Sequence, residues 1–446
     1  AKVAVLASAL FGSISGSAIA NTVSTGTFTI PLMKKSGFPP HVAGAIEPSA
    51  SIGGMFLPPV MGAGGFIMAE LTGIAYSKIM LYSLLPALIY FLSVIMLIHF
   101  EAGKQNLGIT DRPKNLRTPA AILKSEGYLL MPLLTIAVLL LIGYSPGFSA
   151  SAGIVLMLGI GIIQKRERRS PSQLWLASTK GVSNTLVIGA TIGVIGVVIG
   201  IIELTGIGLQ ISSIFISAAQ SFHLPDDILT SAPAVKATIN QFSQVFLTII
   251  LTAIASLILG MGAPVTAAYL ITVILVGPAL ADMGISIIAA HMIVYWLSQD
   301  SNITPPVCVA AYAGAAIAKA DPWKTGWTAF KYSKMLYLMP ILFAFHPAAL
   351  MKGSTTNNLT FWLIMPLATL LFAAILQGFY IRRLKLWERG IGLILLITML
   401  TTFDMARITA ATIFLGLLLC IQIKSRKSLQ HPLKVNPEEI PANQLP

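Results

Sequence analysis

The chain has 446 residues, of which 55% are hydrophobic and only 10% charged, and apolar runs of about 20 residues recur from end to end. That composition excludes an ordinary soluble domain and describes a polytopic membrane protein. The formal charge of +13 does not point to nucleic acid, because the basic residues gather in short segments between apolar spans, where they act as topology signals.

The chain opens AKVAVLASALFG, without an initiator Met, a charged n-region or a cleavage motif, so the later part of a longer polypeptide is expected. Residues 1–72 do not form simple spans, since Gly, Pro, Ser and Asn interrupt them. They are expected as a re-entrant hairpin over 1–33 and a crossing segment over 41–72. Spans over 77–99, 128–143, 150–163, 182–203, 206–222 and 238–259 follow. Residues 260–321 are interrupted again and are expected as a second hairpin over 260–281 and a second crossing segment over 286–320. Spans over 328–345, 359–380, 388–403 and 405–423 complete the chain. In this scheme all of the 29 Lys and Arg except Lys78, Lys352 and Arg407 fall on one side, which the positive-inside rule makes cytoplasmic, the C-terminus included.

The two interrupted regions resemble each other at a common offset of 247 residues. Pro31 pairs with Pro278, Gly37 with Gly284, Ser51 with Ser298, and Pro58-Pro59 with Pro305-Pro306. The first hairpin is followed by LMKKSGFPP, with Lys34 and Lys35, and the second by ALADMGISI, with Asp282 and no base, so two copies of opposite orientation are expected. The fold class is therefore an all-α polytopic membrane protein with two inverted repeats, each a re-entrant hairpin and a discontinuous helix. Residues 1–99 hold the first repeat, 100–237 connecting scaffold helices and loops, 238–345 the second repeat, and 346–446 a C-terminal transmembrane extension and tail.

Backbone that leaves helical geometry inside a membrane exposes N–H and C=O groups that need partners. The interruptions GSISGSAIANT, SASIGGMFLPPVMG, GMGAPVTAAY and LSQDSNITPPVC supply carbonyls, hydroxyls and amide oxygens, a set suited to a hard monovalent cation. Ser15, Ser17, Asn21, Ser51 and Gly53 are candidates for one ion, and Thr266, Ser298, Asn302 and Thr304 for a second. Pro58 and Pro305 are expected where each second half-helix begins, with Thr304 as a cap, so that free N–H groups there can receive a carboxylate.

Blander readings compete. Gly12 and Gly16 form a GxxxG pair, which alone signifies close packing, and a Pro-Pro pair alone is a kink or loop. Their joint occurrence in two copies favours a site. Asp300 is either an ion or proton ligand or a local cap, and Glu203 an interfacial residue. His41, His291 and His346 have no metal spacing, Cys308 and Cys420 have no CxxC, and no nucleophile elbow, HExxH or Walker motif occurs. No enzyme, transition metal or cofactor is expected. An intramembrane enzyme lacks its nucleophile and base here, and a purely structural subunit would not need broken helices.

FGSISGSAIANTVSTGTFTIPLMKKSGFPPHVAGAIEPSASIGG, FLPPV, MGAPVTAAYLITVILVGPALADMGI and SNITPPVCVAAYAGAAIA resemble the large membrane subunit of the tripartite ATP-independent periplasmic (TRAP) transporters, over roughly residues 1–345. GVIGVVIGIIELTGIG resembles that family's middle helix, and the tail from 359 resembles the extension of fused, TAXI-type members. The resemblance implies sodium-driven import of an organic anion through the bacterial inner membrane by an elevator motion. It implies as partners a periplasmic solute-binding protein and a small membrane subunit or its fused N-terminal equivalent. Carried over, Ser15, Gly16, Asn21, Ser51 and Gly53 hold one sodium ion, and Gly262, Thr266, Ser298, Asn302 and Thr304 the other. Substrate lies against Ser17, Asn21, Pro58, Pro59, Ala263, Pro264, Pro305 and Pro306, unequally, because Pro264 and Ala268 stand where the first hairpin has Ser17 and Asn21. A sodium/dicarboxylate-type symporter that needs no binding protein is the alternative.

Overall fold

The computed structural model describes residues 1–107, 119–163, 170–221 and 233–401, with isolated positions at 409, 412 and 416. Eighteen α-helices lie in this part: α1 (Lys2–Ser15), α2 (Ala18–Lys35), α3 (Pro40–Gly54), α4 (Gly62–Thr72), α5 (Tyr76–Lys104), α6 (Pro119–Glu126), α7 (Met131–Ile142), α8 (Pro146–Ile163) and α9 (Pro171–Thr205). They continue with α10 (Ile207–Gln220), α11 (Pro233–Leu259), α12 (Val265–Asp282), α13 (Ile287–Leu297), α14 (Val309–Ala318), α15 (Pro322–Tyr332), α16 (Met335–Phe345), α17 (Thr355–Gln377) and α18 (Leu386–Thr401). Among the described residues there is no strand, only a single bridge between Phe379 and Arg383. Among the described residues six helices are long and apolar enough to cross a membrane, and the pair 192–202 and 207–220, bent by 73°, makes a seventh if counted as one span.

Local chemistry sets the boundaries that matter. α1 stops because Gly16 takes the left-handed conformation, φ 63°, and returns its N–H to Gly12. One residue later Ser17 caps α2, its hydroxyl accepting from the Ala20 amide at 3.3 Å. Pro40 starts α3 at a first-turn position, where its missing N–H costs nothing. Asp321 caps α15 by accepting from the Lys324 amide at 2.6 Å.

Burial separates two groups of helices. α3 is buried from Val42 to Gly54 and α13 from Ile288 to Leu297, whereas α7, α8 and the described part of α9 bury almost none of their side chains. The core therefore lies around α3 and α13, and the middle helices carry the apolar surface that a bilayer covers. α17 packs along α5, with Phe361, Met365 and Ala374 buried and Gln377 donating to the Leu97 carbonyl at 3.0 Å.

Residues paired by the 247-residue offset take matching places. Pro31 lies inside α2 and Pro278 inside α12, while Gly37 and Gly284 are both left-handed, at φ 91° and 81°, in the turn that follows. The 41–72 segment is discontinuous as expected, with the helix interrupted between Gly54 and Gly62, and the 286–320 segment is interrupted between Leu297 and Val309. Both Pro-Pro bonds are cis.

Three expectations need correction. Residues 260–281 do not fold back on themselves: they are a turn at 260–264 and one continuous helix, α12, whose hairpin partner is α11. The apolar run AAYLITVILVGPALA has no breaker strong enough to reverse the chain, and the glycines stand before it. The 328–345 span divides at Ser333 into α15 and α16. α15 begins before the expected span, carries Lys324 and Lys331 among its aromatic residues, and leaves Trp323 and Trp327 exposed. Finally, α9 starts well before 182 and ends where Gly206, φ 67°, turns the chain into α10. Apart from the isolated positions 409, 412 and 416, the 405–423 span lies outside the described residues, as do the cluster from Lys165 to Arg169 and Cys420.

Candidate functional site

The tip of the α1–α2 hairpin rests on the interruption between α3 and α4. Gly54 at the end of α3 touches Gly12 so closely that a Cβ there would lie 2.5 Å from Gly12 Cα and 2.6 Å from its carbonyl carbon. At the tip, a Cβ on Gly16 would lie 2.9 Å from Gly62 Cα, at the start of α4. The Gly12–Gly16 pair is thus a packing motif, and what it packs against is the break.

Three hydroxyls hold carbonyls of that break and a fourth holds one inside α3 just before it. Tyr76 Oη donates to Pro59 O at 2.8 Å or Val60 O at 2.7 Å, Ser83 Oγ to Phe56 O at 2.7 Å, and Tyr90 Oη to Ser49 O at 2.8 Å, all from α5. From α13, Tyr295 Oη reaches Met55 O at 2.9 Å and Met61 O at 2.5 Å. A dry interior requires such partners, since an unpaired peptide carbonyl costs several kcal/mol (about 2–7) there.

Behind the tip runs a buried polar chain. Asn21 donates to Ser8 O at 2.9 Å and to Ser8 Oγ at 3.1 Å. Ser8 and Ser51 hydroxyls meet at 3.1 Å, and Thr22 donates to Ser51 at 3.1 Å. Farther along α2, Thr25 and Thr29 bond the two oxygens of Glu47, which is completely buried on α3. Ser15 Oγ at the tip is buried and has no hydrogen-bonding partner within the described chain.

The second interruption is built differently. After Ser298 the chain makes a 3-10 turn over Asp300–Asn302, and α14 begins only at Val309. Asp300 accepts hydrogen bonds from Thr304 and from Tyr337 of α16, and those two hydroxyls are 2.7 Å apart. Lys334 lies 3.1 Å above the Phe330 ring and 5.3 Å from the Tyr337 ring. The α11–α12 turn approaches from the other side, where a Cβ on Gly260 would lie 2.8 Å from Ser301 Oγ. Both amide atoms of Gln299, Asn302 Nδ2 and Ser256 Oγ of α11 are buried without a hydrogen-bonding partner within the described chain. Such orphaned groups in a native interior call for an explanation, an ion or a ligand among them.

The expected residues therefore fall into groups. Asn21 and Ser51 come together behind the first hairpin tip through Ser8, while Gly16 meets Gly62 at the tip, Ser17 caps α2 and Gly53 packs on Tyr90 and Phe91. Pro58 and Pro59 lie within the first break and Pro305 and Pro306 within the second, Pro59 and Pro305 buried. The half-helices do not begin at Pro58 and Pro305: α4 starts after Met61 and α14 after Cys308, and neither cap residue offers a side-chain bond. Thr304 is not a cap, because Asp300 and Tyr337 engage its hydroxyl. Ser298 spends its hydroxyl on Val294 O at 2.7 Å. Gly262, Ala263, Pro264 and Thr266 sit at or just after the α11–α12 turn, with open space beside Gly262. His291 bonds the Tyr269 hydroxyl at 2.7 Å and is a packing residue. The side chain of Glu203 lies outside the described residues. Sequence reasoning missed Glu47, Tyr295, Gln299, Ser256 and Tyr337. Glu47 carried a signal, an acid four residues before Ser51 in an otherwise apolar segment, whereas the tyrosines looked like ordinary span residues.

Comparison with known proteins supplies the remaining findings. A family described as "Tripartite ATP-independent periplasmic transporter, DctM component" matches residues 1–349. An uncharacterised protein of Sinorhizobium fredii, y4mL, is 23% identical over 345 residues, covering 77% of this chain and 76% of that protein. A putative TRAP transporter large permease protein of Haemophilus influenzae is 23% identical over 45% of this chain and 48% of its own length. The 2,3-diketo-L-gulonate TRAP transporter large permease protein YiaN of Escherichia coli is 21% identical over 77% of this chain and 75% of its own.

Proposed function

Because the chain belongs to the DctM family of tripartite ATP-independent periplasmic transporter components, we propose that it couples sodium entry to the import of an organic carboxylate delivered by a periplasmic binding protein. It is a multi-pass membrane protein and the membrane subunit of a transporter. The proposal adds the ions, the substrate class, the binding protein, a small membrane subunit or its fused equivalent, and the bacterial inner membrane with a cytoplasmic C-terminus.

One observation carries it. Each helix hairpin presses its glycine tip into an interrupted helix, Gly16 on Gly62 and Gly260 on Ser301, so backbone oxygens and small polar side chains converge at two places. In a membrane, such irregular backbone is tolerated where it is buried in protein or lines a site. At about 1.5 Å per residue, α1 is roughly 21 Å long, short of a 30 Å hydrocarbon core, which supports a re-entrant first hairpin. An inverted arrangement is supported by the reciprocal packing: α14 lies on α2 and α3, while α4 lies on α12 and α13. In this reading the tips and half-helices move together as an elevator against the middle helices.

The first ion takes oxygens around Ser15, Gly16, Asn21, Ser51 and Gly53, and the second around Gly262, Thr266, Ser298, Asn302 and Thr304, with Gln299 and Ser256 added from their unsatisfied groups. Substrate lies between the tips, near Ser17, Asn21, Ala263 and Pro264 and the two Pro-Pro segments. No Lys or Arg lies in either break, so N–H groups at the uncapped starts of α4 and α14 receive the carboxylate.

Uptake of labelled C4 to C6 organic acids and glutamate into proteoliposomes holding the full-length transporter tests this, with and without a sodium gradient and the binding protein. Uptake that needs both is expected, and Ser17→Ala with Asn21→Ala should reduce the sodium-dependent uptake, whereas unchanged uptake would reject the hairpin-turn site. Sodium-driven uptake without the binding protein would instead identify a self-sufficient symporter, and indifference to sodium would reject the ion sites.

A further inference from the structure

The two interruptions are joined through one side chain. Tyr295 is completely buried near the end of α13, and its hydroxyl reaches the carbonyls that flank the first break, those of Met55 and Met61. Its ring stands edge-on to Phe56, centroids 5.9 Å apart at 90°, while the adjacent Trp296 stacks on the same Phe56 ring at 4.1 Å and 9°. On the other side, a Cβ added to Gly64 of α4 would collide with the Tyr295 ring. The ring is therefore fixed by the first break, at Phe56, and by the half-helix that follows it, α4. Yet the residue belongs to the second, for α13 ends two residues later and Ser298, Gln299, Asp300 and Asn302 follow at once.

Counting hydrogens shows what the hydroxyl does. A phenol has one hydrogen to donate. Tyr295 faces two carbonyls and Tyr76 faces two more, Pro59 O and Val60 O, so four carbonyl oxygens share two hydrogens. The break keeps acceptor capacity that its own hydroxyls do not fill, and oxygen acceptors in a dry interior suit a cation. The direction in which Tyr295 points its single hydrogen decides which carbonyl remains available.

We propose that Tyr295 is a positioning residue for ion binding at the first break: it orients the Met55 and Met61 carbonyls, and because it rides on α13 it makes that orientation depend on the state of the second break. The proposal rests on the reading of both breaks as sodium sites. Its physical content is a single rigid element whose position both sites bias, which is what coupling between separated sites requires.

The test uses the full-length transporter, with two readouts. One is the apparent melting temperature as a function of sodium chloride, ionic strength being held with choline chloride, and the other is sodium-dependent uptake in proteoliposomes. The wild type should respond cooperatively to sodium. Tyr295→Phe, which keeps the ring and removes the hydroxyl, should lower the Hill coefficient to about 1 and raise half-saturating sodium about fivefold, the loss of one shared hydrogen bond. The substrate KM at saturating sodium should change by less than about twofold, a split that a merely structural role would not produce. Phe56→Leu, which leaves the hydroxyl and frees the two rings, should also abolish cooperativity and serves if Tyr295→Phe does not fold. A cooperative response unchanged in a folded Tyr295→Phe protein, or a non-cooperative wild type, overturns the proposal. A wild type with no response to sodium overturns the underlying ion-site reading, and the proposal falls with it.

Discussion

Gly54→Ala is the substitution on which the contact between hairpin and broken helix can be judged. Its Cβ would lie 2.5 Å from Gly12 Cα, 2.6 Å from Gly12 C and 3.1 Å from Ser13 N, all backbone atoms of α1 that no rotamer change can move. Carbon atoms rest at about 3.5–4.0 Å, so α1 must retreat from α3 by about 1 Å. Overpacking of this kind destabilises by about 1–3 kcal/mol. The same retreat would stretch the Asn21 contacts to Ser8, now 2.9 and 3.1 Å, beyond hydrogen-bonding range. Gly277→Ala is the control, because its Cβ would meet only Val273 Cγ2, at an ordinary 3.7 Å, and alanine favours a helix interior over glycine by about 0.5–1 kcal/mol. Thermal denaturation in mild detergent should show a clear loss for Gly54→Ala and no loss for Gly277→Ala, and uptake should fall only in the former. Equal melting temperatures and normal uptake in both variants would refute the close approach of α1 and α3.

Other substitutions probe separate parts. Glu47→Ala removes the shared acceptor of Thr25 and Thr29 and opens a cavity, so a loss of about 2–4 kcal/mol is expected in the same denaturation assay, and Glu47→Gln should lose less. Glu388 is buried, holds Arg382 through two contacts, 2.6 and 3.1 Å, and accepts from the Lys385 amide at 2.7 Å. Glu388→Ala leaves the half-buried guanidinium without its carboxylate, with only the Arg383 carbonyl to accept from it at 2.8 Å, and faster hydrogen exchange confined to the α17–α18 connection is the expected result. Gln377→Leu removes the bridge between Leu97 O and the Lys331 ammonium, 2.5 Å away, and should loosen α17 from α5, read as earlier proteolytic release of the C-terminal helices.

Local pattern along the chain is enough to read the class of the protein and the places where its helices fail. Apolar length and basic clustering give the membrane class, because the bilayer imposes both on any chain that crosses it. Gly16, Gly37, Gly262 and Gly284 were legible as interruptions for a local reason: each adopts a left-handed backbone that other residues resist. The 247-residue offset was legible because matching backbone breaks need matching Gly and Pro. Partners across the fold were not legible. Tyr295 reaches Met55 and Met61 from 240 and 234 positions away, and no local pattern distinguishes such a tyrosine from one that simply fills space. Likewise, only packing decided that α11 is the second hairpin's other arm, that Thr304 serves Asp300 and Tyr337 rather than a helix end, and that Gln299 lies buried with its amide unpaired. Backbone conformation is a property of neighbours in the chain, whereas the satisfaction of a buried polar group depends on whichever distant segment the fold brings against it.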